Sequence, residues 1–385
     1  MDLKIFFDVI DETVYETVTD VQSFVHAIRI HDTKFPDWKN ADIAIIGVVE
    51  SRGNIYTQGV ENAANIIRKK LYKLKKGAAS IRIMDLGNLR NGVKLEDTYL
   101  RLREVCEILM QYNVIPLIIG GTHDMDYGQF LAYEKFEKLI SIVNIDAIID
   151  VEAHAANGAN RNHTHQILMH EPNYLFNFAN IAYQSFLNDP ETLEILEKLN
   201  FENFRIGQVK EHIEEMEPVV RQADMVSFDI TSVRISDAPG NPNATPFGLT
   251  GEEACRLAWY AGISNKLSSF GIYEYDPTED IKGQTASVIA TMVWYFVEGY
   301  YNRKSDLNFQ GDNFTRFIVT MKNNPHKLIF YKNKLTEMWW MEVPFPTDKE
   351  KFSRVSIVPC SYNDYEIATK GELPNRWIST HAKLI

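Results

Sequence analysis

The chain has 385 residues, 45% hydrophobic and 24% charged, with a formal net charge of −12. That length allows one large α/β domain, or one domain with an appendage. The acidic balance leaves no basic stripe for nucleic acid and disfavours an anionic lipid surface, so neither partner is expected.

At the N-terminus, MDLKIFFDVIDETVYE carries acidic residues where a signal peptide needs a basic segment and a longer apolar run. No uninterrupted apolar stretch approaches the ~18 residues of a membrane span. Cys106, Cys255 and Cys360 are widely spaced, with no CxxC pair, which fits a reducing, cytoplasmic setting. Farther on, short apolar runs alternate with longer amphipathic segments, the pattern of a parallel sheet covered by helices. The strands are expected at Ala41–Val48, Ile81–Leu86, Val114–Ile119, Leu139–Asp146, Phe204–Val209, Asp224–Ile230 and Ser268–Tyr273. Helical patterns fall at about Val60–Leu74, Leu95–Tyr112, Tyr127–Lys138, Asp189–Leu199, Gly251–Leu267 and Thr285–Tyr300. Thr250 with Glu253 reads as a capping box opening one of these helices.

The segment DAPGNPNATPFG (237–248) follows a strand directly and reads as a functional loop at the sheet's carboxyl edge. The division expected is a main α/β domain over 1–305 and a C-terminal extension over 306–385 packed on it. In the extension, HKLIFYKNKLTEMWWMEVPF reads as a hairpin turning at Lys332–Lys334, followed by an irregular tail, with Trp339 and Trp340 as packing residues.

Ligands of open α/β sheets sit outside the carboxyl ends of the strands. Three strands end there in ligand-type residues: VIPLIIGGTHD delivers His123, SIVNIDAIID presents Asp146 and Asp150, and MVSFDITSVR presents Asp229. Side chains alternate along a strand, so 146, 148 and 150 share a face if the strand persists that far, as do 229 and 231. An oxygen-rich, partly nitrogen-ligated set suits Mn²⁺ and admits Zn²⁺ or Fe²⁺. One such Asp reads equally as a cap or a solvated loop residue, and spacing alone leaves both readings open.

The ordered fragments resemble the ureohydrolase family of arginases, agmatinases and formimidoylglutamases. GGTHD is similar to its GG-D-H-S/D signature, IDAIID to D-A-H-x-D, and SFDITSVRISDAPG to S-x-D-x-D-x-x-D-P. IYEYDP resembles the E-x-N-P element and GLTGEE the start of the next helix; IIGVVESRGN, QGVENAANIIRKKL and MDLGN fall at the family's first strand, first helix and D-L-G-D element. The stretch RNHTHQILMHEPNYLFNFANIAYQSF is closest to formimidoylglutamase-type members. The resemblance spans roughly 41–302 and implies a three-layer α/β arginase-like fold, mostly parallel, with helices on both faces.

It also implies a pair of Mn²⁺ ions that activate water against a guanidinium or formimino carbon. Ligands of the first ion match His123, Asp146, Asp150 and Asp229. The second ion shares Asp146 and Asp229, but its two other positions hold Ile148 and Thr231, which leaves one ion at most, or none. Glu274 matches the carboxylate that grips the substrate's amidine nitrogens, and His163 or His165 falls near a family proton shuttle or reads as a surface histidine. His154, His163 or His165 can be imagined as a replacement ligand. Arg234, Arg161 and Arg52 can each be imagined as an internal cation, because clustered carboxylates need one.

Two functions remain open on this reading. One is a metal-dependent hydrolase of linear amidines, N-formimino-L-glutamate before arginine or agmatine. The other is a non-catalytic descendant, a pseudoenzyme, that binds a small amidine or guanidino ligand or, through residues 306–385, a protein partner. The resemblance further implies a homo-oligomer. A nucleotide-binding protein is not expected, since neither GxGxxG nor GxxxxGKS occurs.

Overall fold

The computed structural model describes residues 2–57, 59–152, 158–304, 307–321, 327–345 and 355–384. Its main sheet contains β1 (Phe7–Asp8), β2 (Arg29–Ile30), β3 (Ile43–Val48), β4 (Ile83–Leu89), β5 (Ile115–Ile119), β6 (Ile140–Ile145), β7 (Leu175–Tyr183), β8 (Glu202–Arg205), β9 (Met225–Asp229) and β10 (Ser269–Tyr273). Strands buried on both faces need unbroken apolar runs, and β3, β5, β6, β9 and β10 are buried at every residue. The strand order is β1-β4-β3-β5-β10-β9-β6-β7-β8, with β2 also paired to β4. Among the described residues of this sheet, only the β1–β4 pairing is antiparallel. The neighbours β5, β10, β9 and β6 thus bring four carboxyl ends side by side, with Ile119 level with Ile272, Tyr273 with Asp229, and Phe228 with Ile145.

Helices α1 (Ala63–Leu71), α2 (Leu95–Gln111), α3 (Met125–Leu131), α4 (His163–Leu168), α5 (Pro190–Lys198), α6 (Ile206–Glu211), α7 (Met216–Arg221), α8 (Gly251–Ile263) and α9 (Gln284–Tyr301) cover the sheet. One core lies under α1, α8 and α9 and the other under α2 and α3, giving the expected three layers. The Thr250–Glu253 capping box opens α8.

The differences from the sequence expectation have local causes. Phe204–Val209 is not a strand: β8 stops at Arg205 and Ile206–Glu211 is helix α6, which buries Val209. The helix expected over Tyr127–Lys138 is shorter, because Glu137 takes a left-handed conformation (φ 49°) that ends the segment. The nine-residue strand β7 falls in the stretch with Asn177 and Asn180, whose buried amides masked the apolar pattern; Asn180 Oδ1 accepts from Asn144 Nδ2 at 3.0 Å.

In the extension, β11 (Phe314–Thr320), β12 (Lys327–Asn333), β13 (Trp339–Pro344) and β14 (Val355–Cys360) form a four-stranded antiparallel sheet. Helices α10 (Tyr362–Thr369) and α11 (Asn375–Leu384) follow, so the tail expected to be irregular is ordered, although residues 346–354 of it lie outside the described residues. The hairpin turns over 334–336, overlapping the expected Lys332–Lys334 at Lys334, because Asn333 Oδ1 accepts the N–H groups of Leu335 and Thr336. Both tryptophans are buried. Trp339 packs on Phe317 and Tyr365, and Trp340 lies 4.3 Å from the Arg221 guanidinium of α7, whose Nη2 donates to Trp339 O at 2.9 Å.

Arg68 fixes α1 to β4. It is fully buried; Nε and Nη2 each lie 2.8 Å from an Asp85 oxygen, Nη2 also donates to Gly87 O at 3.0 Å, and Tyr72 Oη donates to Asp85 at 2.9 Å. Truncation strands a buried carboxylate, so Arg68→Ala is expected to cost about 3–5 kcal/mol, read as a lower midpoint in denaturant unfolding.

Candidate metal centre

The site begins at a turn only glycine makes easily. Gly120 and Gly121 both have positive φ (84° and 83°), and a Cβ would lie 2.8 Å from Val48 O at the first and 2.6 Å from Val48 Cγ1 at the second. The turn drops His123 behind the end of β5, where its ring is fully buried. Its Nδ1 lies 3.3 Å from Asp146 Oδ2 and 3.3 Å from Asp229 Oδ2.

The two aspartates are oriented alike. Asp146 follows the last residue of β6 and Asp229 is the last of β9, and each Oδ1 accepts the N–H two residues on, from Ile148 at 2.9 Å and from Thr231 at 2.6 Å. Each Oδ2 is thereby aimed at His123. These turns also end the strands, so the alternation that would align 146, 148 and 150, or 229 and 231, does not continue that far. Ile148 is half-buried and Thr231 buried.

Asp150 lies deeper in the loop. Its Oδ1 pairs with Arg161 Nη1 at 3.1 Å and its Oδ2 faces His163 Nε2 at 3.3 Å. His163 Nδ1 lies 2.8 Å from Asp126 Oδ1, close enough to pair though out of line for a straight hydrogen bond. Asp126 Oδ2 accepts from Ser227 Oγ at 3.0 Å, and Ser227 Oγ accepts in turn from His123 Nε2 at 2.8 Å.

Glu274 sits just past β10 with φ 65°, unusual for a residue with a side chain and typical of functional sites. Its Oε1 accepts the His123 N–H at 2.9 Å; its Oε2 accepts Asn54 Nδ2 at 2.7 Å and, weakly, Asn241 Nδ2 at 3.4 Å.

The structure therefore brings His123, Asp146, Asp150, Asp229, His163 and Glu274 together. His165, two residues along α4, is half-buried and donates its backbone N–H to Asp150 O at 3.3 Å. Arg234 is no internal counter-ion: its Nε turns outward to Asp237 Oδ1 at 2.8 Å. Arg52 pairs with Glu50, and of the three arginines it is Arg161 that reaches the carboxylates, at Asp150. His154 lies outside the described residues. Asp126, Ser227, Asn54 and Asn241 went unnoticed in the sequence; the signals were an acidic residue three after His123, a serine two before Asp229, and the asparagine-rich loop.

One cation fits this set. His123 donates Nε2–H to Ser227, so Nδ1 turns a lone pair toward two carboxylate oxygens, a repulsive arrangement unless a proton or cation lies among them. Neither His123 Nδ1 nor Asp146 Oδ2 has a hydrogen-bond partner among the described residues. Spacings of 3.3 Å match donor atoms each about 2.0–2.2 Å from one ion. Ligand atoms of His123, Asp146, Asp150 and His163 all lie within 4.8 Å of one another. Among the described residues, position 148 offers a hydrocarbon and position 231 a neutral hydroxyl, neither an imidazole nor a carboxylate.

Without metal, the protons redistribute. Burial pushes Glu274 up, with the nearby Asp229 charge, to about 8. Burial alone would lower His163, but Asp126 and Asp150 outweigh it and raise the imidazole to about 9. His123 is likewise raised, since Asp146 and Asp229 overcome its desolvation.

The arginase family profile matches residues 41–298. The chain belongs to the arginase family. Formimidoylglutamases of Streptococcus pyogenes serotype M5 and Streptococcus gordonii are each 22% identical to it, over 70% and 71% of this chain and 88% and 89% of their own. Among solved structures, a Trypanosoma cruzi formiminoglutamase with Mn²⁺ superposes with a TM-score of 0.65 at 20% identity, covering 70% of this chain and 100% of its own. The formimidoylglutamase of Bacillus subtilis gives 0.62 at 21%, covering 76% and 98%. Agmatine ureohydrolase of Thermoplasma volcanium gives 0.60 at 18%, covering 75% and 97%. Among the described residues, no helix is long and apolar enough to cross a membrane.

Both raised pKa values carry the same sign in stability. A group protonated more readily when folded stabilises fully below its unfolded pKa, and that contribution is lost as pH rises through the folded value. The windows are 4.5 to about 8 for Glu274 and 6.5 to about 9 for His163. The metal-stripped chain is therefore expected to be less stable at about pH 9 than at about pH 6, by up to about 2–3 kcal/mol for each group, read as a lower melting temperature in thermal unfolding followed by circular dichroism.

Proposed function

We propose that this arginase-family protein holds one divalent cation and a small amidine or guanidinium ligand, and that it does not hydrolyse that ligand efficiently. The observation that carries the reading is the pair Ile148 and Thr231 at the second-ion positions, beside a complete first set of His123, Asp146, Asp150 and Asp229. A bound divalent cation, Mn²⁺ by analogy with the relatives, supplies Lewis acidity to a water or a polar ligand atom.

The chain's own groups fix what can be recognised. A carboxylate has about four acceptor positions, and an amidinium gripped in fork fashion needs one on each oxygen. On Glu274 the His123 N–H takes one position of Oε1, and the Asn54 and Asn241 amides take both of Oε2. One acceptor position is left. Glu274 thus offers a single hydrogen bond to an amidine rather than a fork, which weakens both hold and orientation. Arg161, on the far side of Asp150, adds positive charge where a cationic ligand would otherwise be drawn in.

The second reading is a one-ion hydrolase of linear amidines, N-formimino-L-glutamate before arginine or agmatine. It is favoured by the names of the curated relatives. It requires Mn²⁺-dependent release of formamide or urea that vanishes in Asp229→Ala. Under the first reading, release stays at the background of the metal alone. A homo-oligomer, a cytoplasmic location and a protein partner on residues 306–385 belong to the proposal; a partner lost on deleting 306–385 but kept in Asp229→Ala would support the last.

Elemental analysis after loading with excess Mn²⁺ is expected to give about one ion per chain. Ile148→His combined with Thr231→Asp is expected to give two and to raise formamide or urea release about 100-fold or more, since electrostatic catalysis is worth several kcal/mol. Two ions in the unaltered chain, or brisk turnover with one, would overturn the first reading.

A further inference from the structure

We infer that His163 is a ligand of the bound cation, so that one centre with two imidazoles stands where the family resemblance implies two ions. This rests on the proposed one-cation reading and adds to it the ligand set and the metal preferred.

The first support is how the two rings are held. A ligating histidine characteristically gives its other ring nitrogen to a carboxylate or similar acceptor, which fixes the ring and its tautomer. His123 does so through Ser227, and His163 Nδ1 lies beside the same aspartate, Asp126, though out of line for a straight hydrogen bond. His163 Nδ1 lies 2.8 Å from Asp126 Oδ1, and His123 Nε2 reaches Asp126 Oδ2 through Ser227 Oγ by contacts of 2.8 and 3.0 Å. His123 Nδ1 faces Asp146 and Asp229 without a hydrogen bond, His163 Nε2 lies within hydrogen-bond distance of Asp150 Oδ2 at 3.3 Å, and the ring centroids are 4.2 Å apart.

The second support is the state of Asp150. Arg161 takes Oδ1 and leaves Oδ2 facing His163 Nε2 at 3.3 Å, the same spacing that separates His123 Nδ1 from its two aspartates. His163 is fully buried, so it is not a surface histidine resting on the rim. An imidazolium paired to Asp126 and Asp150 would make the same two contacts, and the experiment has to tell these states apart.

The chemical consequence is selectivity. The imidazole missing at Ile148 returns on the side of Asp150, so the second ion is not restored and the first gains a nitrogen donor. Nitrogen donors favour Zn²⁺, Co²⁺ and Fe²⁺ over Mn²⁺ more than carboxylates do. His163 is therefore expected to set the ratio of Zn²⁺ to Mn²⁺ affinity.

The test uses the full chain, stripped with chelator and reloaded with Zn²⁺ at one equivalent. X-ray absorption at the zinc edge should count two imidazoles; a count of one overturns the inference. This arm needs no variant and does not depend on one folding. In parallel, calorimetric titration of His163→Gln, shown to be folded by a cooperative melt, should find Zn²⁺ bound about 10–100-fold more weakly and Mn²⁺ weakened less than about 3-fold. Equal weakening of both metals, or of neither, also overturns it. If the unaltered chain takes up no Zn²⁺ or Mn²⁺, the one-cation reading falls as well, whereas one Zn²⁺ on a single imidazole removes only His163.

Discussion

Asp126, Asp146, Asp150, Asp229 and Glu274 are buried together at one sheet edge, and so many carboxylates cannot all ionise without positive charge among them. Two unit charges 4 Å apart repel by about 4 kcal/mol at an effective dielectric of 20. The fold answers with His123, His163 and Arg161, and with a proton that Glu274 holds to about pH 8. A divalent cation would replace some of those protons rather than fill an electrostatically blank hole. Metal uptake and proton release are then one equilibrium, and affinity rises with pH.

That constraint explains why so much hydrogen bonding converges on so few atoms. The Oδ1 atoms of Asp146 and Asp229 are spent on backbone N–H groups, which turns both Oδ2 atoms inward. Asp126 uses its two oxygens to hold two histidines, one directly and one through Ser227. Glu274 uses its backbone bend and both oxygens to pin the chain after the Gly-Gly turn and the Asn54 loop. The sheet contributes by placing β5, β10, β9 and β6 side by side, so that residues more than a hundred positions apart meet.

What the sequence disclosed follows the same physics. The central strands were legible because parallel strands covered on both faces must be apolar throughout, and the predicted limits lie within a few residues of those found. His123, Asp146, Asp150 and Asp229 were legible because strand ends are where such sheets bind ligands, and Glu274 only through the family resemblance. Asp126 was not, since an acid in the first turn of a short helix reads as ordinary dipole compensation. Nor was strand β7, whose asparagines are buried in pairs that only the third dimension supplies. Ile148 and Thr231 could be read directly, whereas the place of Arg161 could not: the sequence put Arg234 first, with Arg161 and Arg52 as further candidates, until distance separated them.

Hydrogen bonding at the sheet edge sets Asp146, Asp229 and Glu274 apart from Ile148 and Thr231. Asp146 and Asp229 terminate their strands through side-chain hydrogen bonds, and Glu274 organises two loops, so replacing any of them leaves buried backbone donors unpaired at about 1–3 kcal/mol each. At 148 and 231 those turns draw on the backbone N–H, which every residue but proline provides. A histidine or aspartate at those two positions is therefore not needed to build the turns. Residues that only a second ion requires can be exchanged at little cost to the fold, while first-set residues that also shape the edge cannot. Asp146 and Asp229 are thus fixed by the turns they build, whatever else they bind.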